Sequence, residues 1–189
     1  MSSFILTRLS NFFIKKRLFS SNYFSKSMQY KEKRIIGYSK NQMFNVVSKV
    51  EEYYQFVPYC KKSLIISQLG NTFKADLIVG FPPLNVSYVS NVTYIEPNMV
   101  QSIGSGSSVF NELITTWHFR NGLPEIPNSS ILEFSIAFEF KSYLYSRVAK
   151  LFFDHIVETM VEAFLNRSEF KYGPSSIPKQ SPMILSYSR

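Results

Sequence analysis

The side chains best suited to chemistry are few and widely spaced in this sequence. The 189 residues include two histidines, His118 and His155, and one cysteine, Cys60. No serine or cysteine stands at a spacing typical of a nucleophile paired with its base, and two isolated histidines do not make a metal-ligand cluster. A glycine-rich phosphate-binding loop is also missing. The sequence therefore predicts no catalytic residue, no metal site and no enzyme activity.

The longest element that could position other side chains is a helix over residues 142–170. It contains no Gly or Pro, and its charged residues recur every three or four positions from Arg147 to Glu162, which places them on one face. The rest of its circumference is apolar and needs a large cover. We expect Glu158 and Glu162, on the charged face, to be solvated.

The chain before this helix alternates apolar and polar residues with a period of two. A first strand over residues 29–38 precedes two short helices, one beginning at the capping sequence Ser39-Lys-Asn-Gln42 and one over residues 50–56. Antiparallel strands follow over residues 63–68, 73–81, 86–95, 99–103, 109–120 and 132–140. Because a meander of this kind has one apolar face, the long helix is its expected cover.

The two ends of the chain differ in composition from the middle. The net charge is +8, but residues 1–28 contain five basic and no acidic residues, so the charge does not indicate nucleic-acid binding. This Ser-rich, amphipathic segment contains Arg17-Leu-Phe-Ser20, similar to a mitochondrial processing site. We expect residues 1–28 to be a mitochondrial targeting segment, with a disordered basic arm as the alternative. We expect a folded domain over 29–172 and a disordered Pro/Ser-rich tail over 173–189.

Five stretches resemble a known protein family. They are residues 53–64 (YYQFVPYCKKSL), 75–83 (ADLIVGFPP), 110–117 (FNELITTW), 134–140 (FSIAFEF) and 151–154 (LFFD). Over residues 29–174 the sequence resembles the mitochondrial coenzyme Q-binding protein family of the START and polyketide cyclase superfamily. The resemblance implies an α+β helix-grip (START-like) fold, in which a curved antiparallel β-sheet wraps around a long C-terminal α-helix and an apolar cavity. Two short helices follow the first strand.

The same resemblance implies a non-enzymatic protein that binds ubiquinone (coenzyme Q) and uses no catalytic cofactor. The 18 Phe and 12 Tyr residues exceed what a small core needs, and a cavity lined by rings would suit a quinone head and isoprenoid units. Each ring could also be ordinary core. The predicted ligand-binding residues are Phe56, Val57, Pro58, Leu64, Leu77, Val79, Phe81, Trp117, Phe138, Phe153 and Met160.

The cavity is expected to open between the turn at residues 56–59 and the loop at residues 81–83. The apolar tips and nearby lysines of these segments would touch a membrane, with hydrophobic loops packed on their own sheet as the alternative. The predicted membrane contacts are Tyr59, Lys61, Lys62, Pro82 and Pro83.

The expected function is binding and delivery of ubiquinone by a peripheral protein on the matrix side of the mitochondrial inner membrane. Expected partners are ubiquinone or another isoprenoid lipid, the membrane surface, and proteins of the respiratory chain or of ubiquinone biosynthesis. Two alternatives on the same fold are a general lipid-transfer protein and a polyketide cyclase-like enzyme. The enzyme would need polar groups in the cavity, where the predicted inward faces offer little beyond Ser87, Tyr88 and Thr115.

Overall fold

The structure, a computed structural model, describes residues 27–81 and 84–189 of the chain. Most of the predicted targeting segment, together with Pro82 and Pro83, lies outside these residues. The elements are β1 (Ser27–Ile36), α1 (Lys40–Val47), a short 3-10 helix (Val50–Gln55), β2 (Cys60–Leu69), β3 (Thr72–Phe81), β4 (Leu84–Ile95), β5 (Met99–Ser105), β6 (Phe110–Asn121), β7 (Ser130–Phe140), α2 (Tyr143–Tyr172) and β8 (Met183–Ser188).

All eight described strands form one antiparallel sheet in the order β2-β3-β4-β5-β6-β7-β1-β8. Strands β2 to β7 form the predicted meander, and β1 closes the sheet between β7 and β8. The side chains on the inner face of β7 alternate with outward ones, as the period-two pattern predicts: Leu132, Phe134 and Ile136 are buried.

The long C-terminal helix covers the inner face of this sheet. Ser142 caps its first turn by accepting a hydrogen bond from the backbone of Tyr145, and the helix ends at Gly173, which has a φ of 85° that favours glycine. Its buried side chains recur every three or four residues and face the core: Ala149, Phe153, Val157, Val161 and Phe164. The long helix predicted over residues 142–170 is therefore confirmed. At α1, Ser39 and Gln42 make the predicted capping box.

The prediction of a disordered tail is wrong for the last residues of the chain. Met183–Ser188 forms β8, which pairs with β1. The ring of Tyr187 packs 6.4 Å from Tyr30 and 6.0 Å from Phe153, and its hydroxyl donates to the carboxylate of Asp154. The backbone of β1 would otherwise be an open sheet edge, and this short apolar run after the prolines completes its hydrogen bonds.

The charged face of α2 is also not simply solvated. Glu162 accepts hydrogen bonds from Arg34 and Lys179, each at 2.6 Å. Arg34 is buried and also binds the carboxylate of Glu32, which is 0% exposed and accepts a third bond from Tyr30. Glu32 occupies an inward position of β1. The apolar and polar residues of this strand alternate only weakly, so the sequence did not predict a buried carboxylate there. This ion network fastens α2 to β1.

A second set of ion pairs fastens the C-terminal end of α2 to the 3-10 helix. Glu52 accepts from Lys171 at 2.7 Å and from Arg167 at 2.9 Å. The hydrogen bond from Lys171 is the main reason that the pKa of Glu52 lies below its ordinary value, and the bond from Arg167 adds to it. Because its pKa is lowered in the folded protein, the ionised carboxylate of Glu52 stabilises the fold above pH 4.5. This contribution is lost as the carboxylate is protonated at lower pH.

We therefore expect Glu52→Gln to lower the free energy of unfolding by about 1 kcal/mol at pH 7, and by less as the pH falls toward 3. Urea unfolding of both proteins at several pH values measures this difference. A difference that stays constant from pH 7 to pH 3 would contradict the assigned ion pairs.

Candidate functional site

A cavity of about 150 Å³ lies between the inner face of the sheet and α2. A dry cavity of this size holds one benzene-sized ring. Strands β2 to β7, the 3-10 helix, the turn before β2 and α2 all contribute to its wall, and none of the described side chains that line it is charged. The site is thus suited to binding a flat apolar group.

Most of the predicted ligand-binding residues meet at this cavity. The lining includes Val57, Pro58, Leu77, Val79, Trp117, Phe138, Phe153 and Met160. Period two in β3 brings Leu77 and Val79 to the same face, whereas helical spacing brings Phe153 and Met160 to one side of α2. The side chain of Phe81 lies outside the described residues.

Trp117 is positioned by an aromatic cluster at one side of the cavity. Its ring lies 4.4 Å from that of Phe134 and 4.6 Å from that of Phe164. Phe56 was predicted to bind ligand, but its ring packs 5.1 Å from Phe164 and is not part of the cavity wall. Phe56 therefore packs against the lining residue Phe164 without reaching the cavity itself. Phe134 and Phe164 line the cavity without having been predicted as ligand-binding residues.

Leu64 was also predicted to bind ligand, and the structure places it on the opposite side of the sheet. The pairing of β2 with β3 shifts register between Cys60 and Lys62, so that Cys60 and Ser63 both point inward. Leu64 is consequently 52% exposed on the outer face. A bulge of this kind reverses the alternation beyond it, and a strict period of two cannot predict it.

The cavity wall also contains polar groups, of which Tyr88 and Thr115 were predicted and Ser90 and Ser102 were not. Tyr88 and Thr115 line the wall as predicted, but Ser87 is exposed on the outer face. Ser90 and Ser102 line the cavity, and their hydroxyl oxygens lie 2.5 Å apart. Alternation from Val86 along β4 would have identified Ser90.

Both the Cys60 thiol and the Tyr88 hydroxyl are held in their neutral forms. Burial raises the pKa of Cys60, and its Sγ donates to the carbonyl of Lys62. Burial also raises the pKa of Tyr88. Neutral groups without a neighbouring base or cation are poor nucleophiles and poor general bases, but they can still donate hydrogen bonds.

The turn before β2 forms one rim of the cavity and contacts α2. Tyr59 has a φ of 64°, which is unusual for a residue other than glycine, and its ring lies 6.2 Å from that of His155. Of the predicted membrane contacts beside it, Lys61 donates to Asn85 and Lys62 to Asp76, each at 2.7 Å. Both lysines are exposed.

Comparison with known proteins agrees with this architecture. Residues 36–165 match the family model described as polyketide cyclase / dehydrase and lipid transport. The chain is 34% identical over 143 residues to "Coenzyme Q-binding protein COQ10, mitochondrial" of Dictyostelium discoideum, which covers 75% of this chain and 69% of that protein. The chain belongs to the coenzyme Q-binding protein family. The Drosophila melanogaster member is 48% identical over 148 residues, 78% of this chain and 61% of that protein. The chain thus spans about three fifths of this relative.

Solved structures confirm the fold predicted for the family. A START superfamily protein from Mycobacterium smegmatis superposes with a TM-score of 0.65 at 18% identity, covering 76% of this chain and 99% of the other. Among the described residues of this coenzyme Q-binding family member, no helix is long and apolar enough to cross a membrane. The same residues contain no group of three or more His, Cys, Asp or Glu side chains that could hold a metal ion.

Proposed function

We propose that this protein binds ubiquinone non-covalently in the cavity and carries it to and from the mitochondrial inner membrane. The observation that carries the proposal is a ring-lined cavity with no charged side chain among its described lining residues, in a chain whose relatives are named for binding coenzyme Q. The cavity volume of about 150 Å³ suits one ring, and aromatic walls suit a flat quinone. Binding is proposed over catalysis because burial keeps the Cys60 thiol and the Tyr88 hydroxyl neutral, and because none of the described side chains that line the cavity is charged.

Each isoprene unit that the protein keeps out of water would be worth on the order of 4 kcal/mol before the costs of association. The cavity has room for little more than the head, and a long tail must therefore leave it. We place the exit at the rim formed by Val57, Pro58 and Tyr59.

The same rim is proposed as the gate for loading and release. Tyr59 closes against His155 of α2 and holds a left-handed backbone conformation that costs about 1–2 kcal/mol in a residue with a Cβ. Opening would relieve this strain and separate the turn from the helix. Tyr59 is proposed to dip into the bilayer at this rim, whereas Pro82 and Pro83, the other predicted apolar membrane contacts, lie outside the described residues.

Membrane docking is proposed to depend on Lys61 more than on Lys62, because Asp76 offsets part of the charge of Lys62. We expect Lys61→Glu to weaken binding to vesicles that contain cardiolipin roughly tenfold, and high salt to remove the difference. Sedimentation of vesicles with bound protein measures this. Lys74→Glu, at the far end of β3, makes the same charge change and should have a smaller effect. Equal losses in the two variants would contradict docking at the rim.

The proposed cellular role follows from the confinement of ubiquinone to the membrane. Ubiquinone is confined to the membrane by its tail, so a peripheral carrier on the matrix side could pass it to respiratory-chain proteins or to enzymes of ubiquinone biosynthesis. The mitochondrial names of the relatives and the basic, acid-free residues 1–28 support this location.

Transfer between vesicles tests the proposed function against its lipid-transfer alternative. Donor vesicles would carry both ubiquinone and a labelled phospholipid, and acceptor vesicles neither. We expect the protein to accelerate quinone transfer at least tenfold more than phospholipid transfer. Equal acceleration of both would favour a general lipid-transfer protein, and conversion of a polyketide-like substrate would favour an enzyme.

A further inference from the structure

A row of hydroxyl groups crosses the otherwise apolar floor of the cavity. Ser90 of β4, Ser102 of β5 and Thr115 of β6 all line it. Ser102 is paired directly with Thr115 across the two strands, and the Ser90 and Ser102 oxygens lie 2.5 Å apart. Tyr88 follows on the same face of β4, two residues before Ser90. Three neighbouring strands thus bring four hydroxyls to one side of the cavity.

These hydroxyls have hydrogen-bonding capacity that the described part of the chain does not use. Tyr88 and Thr115 line the cavity, and no side-chain hydrogen bond seen between described residues involves either hydroxyl. Ser90 and Ser102 share a single hydrogen bond, so one proton of the pair is still available to an acceptor. A hydroxyl that faces the cavity without a protein partner can donate its proton to an acceptor bound there.

The ring of Tyr88 is held in place by its surroundings. It packs edge-to-face on Phe110 with the ring centres 5.2 Å apart. Gly104 of β5 leaves the room for both rings, since a Cβ at that position would lie 3.2 Å from Tyr88 and 3.1 Å from Phe110. The Tyr88 hydroxyl is therefore carried by a rigid ring at a fixed place in the wall.

We propose that Tyr88, Ser90, Ser102 and Thr115 form a head-group subsite that donates hydrogen bonds to the ring oxygens of a quinone. The proposal rests on the proposed function and adds the part of the site that distinguishes a quinone from other isoprenoid lipids. Quinone carbonyls are acceptors only, and they match a set of neutral donors. The apolar wall opposite, from Phe153 and Met160 of α2, contacts the face of the ring. An isoprenoid hydrocarbon would leave the hydroxyls without partners and bind less tightly.

The test compares the binding of a ubiquinone with two isoprene units and of an isoprenoid hydrocarbon with the same tail length. We expect Tyr88→Phe and Thr115→Val each to lower quinone affinity about 5- to 10-fold, the usual effect of one lost hydrogen bond, and to leave hydrocarbon affinity unchanged. Thr116→Val is the matched control. It makes the same change in the adjacent residue of β6, whose hydroxyl accepts from Gln101 away from the cavity, and should leave the affinities for both ligands as they are in the wild type.

Three outcomes contradict the account in different ways. If the wild type binds the quinone and Tyr88→Phe and Thr115→Val bind it equally well, the head-group subsite is wrong and the proposed function stands. If the wild type binds the hydrocarbon as tightly as the quinone, the protein has no head-group recognition. If the wild type binds no quinone at all, the proposed function itself fails. Thermal melts verify that each variant is folded, and the near-isosteric Thr115→Val remains informative if Tyr88→Phe does not fold.

Discussion

Val79→Phe is expected to abolish quinone binding while the protein stays folded. Val79 lies on the inner face of β3 and lines the cavity, beside Val86 of β4. The cavity of about 150 Å³ holds one ring, and the new phenyl group would occupy the space that the quinone head needs. We expect affinity to fall at least a hundredfold.

Stability should change little in this variant, because the added ring fills an existing void. We expect the free energy of unfolding to stay within about 1 kcal/mol of the wild type, with filling of the void offsetting local strain. Ile78→Phe is the control, since Ile78 adjoins Val79 but points to the other face of the sheet. Titration of ubiquinone against intrinsic fluorescence, alongside urea unfolding, measures both properties. Normal quinone binding by folded Val79→Phe would place the ligand elsewhere.

Arg34→Met is expected to be the most destabilising single change at the contact between β1 and α2. It would leave the buried carboxylate of Glu32 with only the hydroxyl of Tyr30, and Glu162 with only Lys179. Removing one partner from a buried ion pair costs about 3–5 kcal/mol, because the remaining charge stays out of water. Urea unfolding at pH 7 measures the loss.

Removing both charges should be far less harmful than removing one. We expect Glu32→Leu combined with Arg34→Met to recover at least half of the stability lost in Arg34→Met, since no charge is then left unpaired in β1. A double variant that is as unstable as the single variant would mean that shape, and not charge, explains the loss. A loss below about 1 kcal/mol in Arg34→Met would contradict the burial of this network.

Much of the architecture could be predicted because the sequence patterns that indicate its main elements extend over many residues. Eleven residues alternate in β7, and thirty residues without Gly or Pro form α2. The C-terminal strand could not be predicted, because six residues beyond a Pro-rich segment gain their structure from pairing with β1. Glu32 was missed for a related reason. A charged residue on an inward face becomes acceptable only when Arg34 and Tyr30 meet it in the folded protein.

The candidate site was predictable to the extent that alternation persisted along each strand. Leu77 and Val79 reach the cavity because β3 pairs with β4 in regular register, whereas the bulge in β2 turned Leu64 outward. The contact between Ser90 and Ser102 depends on the register of β4 with β5, which periodicity within one strand does not give. The volume of the cavity is likewise a property of packing and has no sequence signal.

Identification of the lipid that co-purifies with the protein tests the central claim most directly. The protein would be isolated from mitochondria without detergent exchange, extracted with organic solvent and examined by mass spectrometry, with folded Val79→Phe treated in parallel. We predict ubiquinone at close to one molecule per protein in the wild type and almost none in Val79→Phe. Wild-type protein that carries only phospholipid, or equal amounts of quinone in the two proteins, would contradict a quinone held in this cavity.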